Sequence, residues 1–115
     1  MTPEEKVAEL RIERDRAIAR AEQLERTFDD IVDAAADVAT DDEHDPEGHT
    51  IAFERQQVSA LLDEARRQVA QLEHAIERVA AGVYGTCEEC GRPIGDERLA
   101  ALPETRRCID CARLG

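Results

Sequence analysis

The sequence has no tryptophan, one tyrosine (Tyr84) and two phenylalanines (Phe28 and Phe53) among its 115 residues. Aromatic side chains supply much of the buried area of a compact enzyme core. A chain this short and this poor in them is not expected to build one large core. It also lacks any run of about 18 apolar residues, so no membrane span is expected. The first twenty residues hold no uninterrupted apolar stretch and no small-residue cleavage site, so no secretory signal is expected either. Positive charge is scarce: 15 Lys and Arg stand against 27 Asp and Glu, a formal net charge of −12. A chain of that sign has no net attraction to a phosphate backbone, and direct DNA binding is not expected. The cytoplasm, where thiols stay reduced, is the expected compartment.

What remains is the composition of long, surface-rich helices, with 37% charged residues and abundant Ala, Leu, Glu and Arg. The charge is unevenly spread. Sixteen of the acids but only six of the bases lie in residues 1–50, and no Lys or Arg occurs between Arg26 and Arg55. That gap holds Asp29, Asp30, Asp33, Asp37, Asp41, Asp42, Glu43, Asp45 and Glu47. All four cysteines come after position 86.

Two helices are legible between the acid and the sulfur. Thr2-Pro3-Glu4-Glu5 has a capping threonine, a proline suited to the first turn and a glutamate at the third helical position. Ala17, Ala21, Leu24, Phe28, Ile31, Ala35 and Val38 then alternate at spacings of four and three. Val7 and Leu10 extend the seam backwards, with Arg14 as an interruption. Asp45-Pro46-Glu47 reads as the start of a second helix. Its seam runs Val58, Leu62, Ala65, Val69, Leu72, Ile76 and Val79, joined by Ile51, and Gly82 is placed to end it as a left-handed cap. Two matching seams joined by a short capped turn are expected to close within one monomer as an antiparallel coiled-coil hairpin. A plain helical bundle or a self-associating coiled coil is the alternative. The arm would be on the order of 55 Å long at 1.5 Å per residue.

The remaining motif is Cys87-x-x-Cys90 and Cys108-x-x-Cys111, separated by 17 residues. A two-residue spacer lets each pair turn two thiolates onto one ion, and Gly91 eases the first turn. Four sulfurs in a tetrahedron suit one structural Zn²⁺ per chain. A disulfide pairing or an iron–sulfur cluster would use the same residues. The segment from Tyr84 onward has few large apolar groups and is expected to need its metal to fold. A closed four-sulfur site has no open position, and no nucleophile–base arrangement is visible, so no enzyme is expected. The fold class expected is mostly α: a long antiparallel coiled-coil hairpin over 1–83 with an acidic tip near 41–47, then a small C-terminal four-cysteine zinc finger over 84–115.

The run GVYGTCEECGRPIGDERLAALPETRRCIDCA resembles the DksA/TraR family of bacterial C4-type zinc finger proteins. Both cysteine pairs, Ile94, Arg98-Leu99, Ala101, Pro103 and the closing Cys-Ile-Asp-Cys carry the likeness. The resemblance implies a transcription regulator that binds RNA polymerase by inserting its coiled coil into the secondary channel, near the catalytic Mg²⁺. It places Asp45 at the first acidic position of the tip. The family's usual Asp-x-x-Asp-x-Ala reads here Asp45-Pro46-Glu47-Gly48-His49-Thr50, so acidity is displaced onto Asp41, Asp42, Glu43 and Glu47. Carboxylates there suit a bound Mg²⁺ or a positive cleft on their own chemistry as well. The resemblance also raises the alarmone ppGpp as a further partner; the bases offered to it are Arg66, Arg67, Arg78 and Arg113. Two other readings stand beside this one: a zinc ribbon binding nucleic acid through Arg92, Arg98, Arg106 and Arg107, and a structural or adaptor coiled coil.

Overall fold

A computed structural model of the chain describes residues 2–38 and 46–114. Among these residues the helices are, in order, α1 (Pro3–Val38), α2 (Pro46–Ala80), α3 (Asp96–Ala101) and α4 (Ile109–Leu114). No strand occurs among the described residues, only an isolated antiparallel bridge between Thr86 and Pro93. The architecture is the expected mostly α hairpin with a four-cysteine C-terminal segment.

The helix ends follow from their sequences. Thr2 Oγ1 accepts from the Glu5 N–H at 3.2 Å, and the Thr2 carbonyl accepts from the Lys6 N–H at 3.0 Å, so α1 starts at the expected cap. Proline opens α2 as well. At its far end the Gly82 N–H donates to Val79 O (3.1 Å) and the Val83 N–H donates to Arg78 O (3.0 Å), with Gly82 at φ +77°. This pair of bonds around a left-handed glycine is a Schellman motif.

The chain divides into two compact units, Ala17–Arg67 and a second made of Met1–Arg16 with Gln68–Gly115. In the first, Ala17, Leu62 and Ala65 are buried, while Ala21, Leu24, Phe28, Ile31, Ala35, Ile51 and Val58 are partly buried. Every seam position whose side chain is described is thus withdrawn from water. The Arg66 guanidinium pairs with the Glu25 carboxylate across the two helices, and Phe28 shares a groove with Arg55, Ser59 and Asp63. Earlier residues of α1 therefore meet later residues of α2, which is the antiparallel register.

In the second unit, Leu10, Leu72 and Ala75 are each no more than 1% exposed and Val79 is 9% exposed. Ala75 lies beside the expected seam and is buried as well. Here the first turns of α1 also meet the C-terminal segment. Lys6 Nζ sits 5.3 Å from the centroid of the Tyr84 ring, and the Tyr84 hydroxyl donates to Pro103 O at 2.9 Å. No described helix is long and apolar enough to cross a membrane.

Candidate metal centre

The cysteine-bearing segment begins where the Schellman turn releases the chain. Thr86 and Cys87 run antiparallel to Arg92 and Pro93: the Cys87 N–H donates to Arg92 O at 2.8 Å, and the Ile94 N–H donates to Gly85 O at 2.8 Å. Between them the chain turns so tightly that the Gly91 N–H reaches back to Cys87 O at 3.0 Å, with Gly91 at φ +75°. That backbone conformation is the one glycine adopts without penalty. The second knuckle opens α4, where the Ala112 N–H donates to Cys108 O at 3.0 Å. The Glu88 N–H donates to Arg106 O at 2.9 Å and ties the two knuckles together.

All four sulfurs converge, lying within 4.8 Å of one another. Cys87 and Cys108 are buried, Cys111 is partly buried and Cys90 is exposed. Four sulfurs about 2.3 Å from a tetrahedral centre stand about 3.8 Å apart, and Cys90 Sγ lies 3.7 Å from Cys108 Sγ. The donor set therefore fits one tetrahedral, thiophilic ion. Packed on the sulfurs is a very small apolar cluster, with Ile94 buried and Leu99 partly buried against Cys87 and Cys108. So little apolar area cannot hold the segment together unaided.

The thiols also differ electrically. Backbone N–H groups of Cys90 and Cys108 aimed at its sulfur lower Cys87 to about 6. The Arg92 backbone N–H lowers Cys90 too. Cys111 is pushed up to about 12 by the adjacent Cys108 thiol and by burial. Four thiols packed this closely cannot all ionise without a cation among them. The Arg92 guanidinium, whose own pKa the Cys90 sulfur raises, would offset part of the negative charge of thiolates gathered there.

Two arginines hold the chain on the approach to each knuckle, and sequence reasoning identified neither role. Arg98 Nε donates to Arg107 O at 3.0 Å, and its Nη2 reaches Thr105 Oγ1 at 3.4 Å, just before Cys108. Arg78, in the last turn of α2, is 9% exposed and is the one buried charged side chain among the described residues. Its Nη2 donates to Val83 O at 3.1 Å and to Thr86 O, while its Nη1 lies 3.6 Å from Glu88 Oε2. In the sequence analysis Arg78 is one of the bases offered to an alarmone; in the structure its guanidinium is spent on the turn that follows α2. Arg106 and Arg107 in turn pair with Glu88 (3.7 Å) and Glu89 (3.3 Å). The acidic positions Asp41, Asp42, Glu43 and Asp45, and the side chain of Glu47, lie outside the described residues.

Comparison with known proteins converges on the same reading. Residues 82–114 match the family model of the prokaryotic dksA/traR C4-type zinc finger. An uncharacterized protein of Aquifex aeolicus is 45% identical over 42 residues, 36% of this chain and 29% of that one. The RNA polymerase-binding transcription factor DksA of Salmonella typhimurium is 30% identical over 109 residues. That match covers 92% of this chain, which spans 61% of the length of the Salmonella protein. The structure of transcription factor DksA2 from Pseudomonas aeruginosa aligns with a TM-score of 0.52 at 25% identity, covering 93% of this chain and 82% of that one. A helical hairpin followed by a four-cysteine knuckle pair defines a class of zinc finger proteins. Within that class residues 82–114 carry the match to the dksA/traR C4-type zinc finger, and the cysteine cluster points to a bound metal.

Proposed function

We propose that this protein is a transcription regulator that binds RNA polymerase and inserts its coiled coil into the secondary channel. Asp41, Asp42, Glu43, Asp45 and Glu47 then act near the catalytic Mg²⁺. The hairpin over 1–83 is the arm, and the finger over 84–115 is folded by one structural Zn²⁺ held by Cys87, Cys90, Cys108 and Cys111. The observation that carries this reading is the likeness along 92% of the chain, hairpin and finger together, to a protein named for binding RNA polymerase. The protein acts in the cytoplasm as a monomer and not as an enzyme, with ppGpp a candidate co-ligand. Nucleic-acid binding by the finger is the weaker reading, because Arg98, Arg106 and Arg107 are already engaged with carbonyls and carboxylates of the finger itself.

The test is binding of the zinc-loaded protein to core RNA polymerase from its own organism, with a known secondary-channel factor as competitor. Mutually exclusive binding is expected. Simultaneous binding of both factors, or none by this protein, refutes the channel reading. Exchanging the five tip acids for their amides should preserve fold and polymerase binding yet remove the effect on transcription. An amide variant that regulates as well as the parent would show that tip charge is irrelevant.

A further inference from the structure

A guanidinium withdrawn from water needs strong compensating partners, and those of Arg78 all fall on one short stretch of chain. Its side chain donates to the carbonyls of Val83 and Thr86 and faces the Glu88 carboxylate, while its own carbonyl accepts the Val83 N–H. Val83 is therefore held at both ends of its backbone by the same residue. Thr86 O belongs to the peptide that carries Cys87, and Glu88 follows Cys87 directly. Glu88 also meets Arg106 through both its side chain (3.7 Å) and its N–H (2.9 Å to Arg106 O), two residues before Cys108. A continuous polar path thus runs from the last turn of α2 through the first knuckle to the second.

We propose that Arg78 is a positioning residue for the metal centre and couples metal occupancy to the C-terminal turns of α2. The guanidinium holds Thr86 to Glu88 in the one shape that brings Cys87 and Cys90 onto the sulfurs of the second knuckle. When the metal leaves, the knuckles separate, the partners of Arg78 move away from it, and the last turns of α2 open. By linkage the effect is reciprocal: whatever holds the end of α2 in place tightens the site, and whatever frays it promotes metal loss. The finger then does more than end the chain. It sets, through one side chain, whether the second helix of the arm is firm at its base.

The inference rests on the reading of the four cysteines as a zinc site, and one set of measurements separates the two. Zinc affinity of the full-length protein is measured by competition with a chromogenic chelator. Amide hydrogen exchange over residues 76–83 is followed with and without zinc, and cobalt spectra report the geometry of the site. Arg78→Met keeps the apolar stem and removes the guanidinium. It is expected to retain a tetrahedral thiolate spectrum yet bind zinc about 10–100-fold more weakly, the usual cost of losing a residue that supports metal ligands. In the parent, zinc removal should speed exchange over 76–83; in Arg78→Met those amides should exchange fast in both states. Arg78→Lys, which can reach one carbonyl but cannot span all three partners, should fall between. If Arg78→Met fails to fold, Glu88→Gln serves instead, with a smaller loss of affinity in the same direction. Zinc binding with parental affinity in both variants, or exchange over 76–83 indifferent to zinc, overturns the coupling and leaves the zinc site standing. A parent that binds no zinc overturns both.

Discussion

Four cysteines placed by two tight turns constitute the chemistry of this protein, and their inequality is informative. The N–H groups of Cys90 and Cys108 favour the Cys87 thiolate, holding it at about 6, whereas Cys111, crowded by Cys108, is pushed up to about 12. Metal ligands must be deprotonated, so binding releases protons. At pH 7 Cys87 has little proton left to release, while Cys111 must lose its proton to the solvent before it can ligate a metal. Zinc affinity should therefore rise from pH 6 to pH 8, and the dependence should steepen below about pH 6, where Cys87 protonates as well. Chelator competition across that range, with calorimetry in buffers of different ionisation enthalpy, checks both parts. An affinity flat with pH would contradict them. The spacing of the cysteines made their convergence legible, and Gly91 marked the turn. The bond pattern of Arg78 was not legible, because a basic residue in a last helical turn has the same appearance whether its side chain faces water or folds back over the C-cap.

At the scale of the elements, seam periodicity predicted burial well. Leu72 lies on the seam and is fully buried; Leu61 lies one residue ahead of seam position Leu62 and is half exposed. Leu72→Ala should cost about 2–5 kcal/mol, as large-to-small core changes do. Leu61→Ala should stay within about 0.5 kcal/mol. Urea midpoints at constant m-value measure the contrast, and equal costs would mean that the seam does not carry the hairpin. Helix α1 has acidic residues in its first turn and no base in its last, and the acids Asp29, Asp30 and Asp33 continue towards its C-terminus. Negative charge near a helix C-terminus opposes the macrodipole. The element is thus built against its own electrostatic preference where its sequence approaches the linker.

The described residues combine two long helices with buried seams and a cysteine-bearing segment whose own apolar cluster is small. Apart from the cysteines, the finger's sulfur-centred cluster holds only Ile94 and Leu99, so metal chelation should unfold it and leave the hairpin largely intact. Structural zinc is worth roughly 10–16 kcal/mol in small fingers, far more than that apolar contact can replace. Zinc removal should therefore leave most of the helical circular dichroism unchanged while trypsin begins to cleave after Arg98, Arg106 and Arg107. Resistance of those sites in the metal-free protein would contradict this division, as would collapse of the entire helical signal.

The sequence by itself determined the fold class, the seams, the helix starts at Pro3 and Pro46, the Gly82 cap and the grouping of the four cysteines. These are local or periodic properties: a heptad, a cap and a two-residue spacer each act over a few residues. Tertiary structure decided the rest. It buried Arg78 and Ala75, stood Tyr84 between Lys6 and Pro103, and turned arginines that looked free for a ligand inward onto carbonyls and carboxylates of the finger. Those outcomes depend on which segments distant in sequence meet in space. A pattern of residue types constrains that only through the packing it produces.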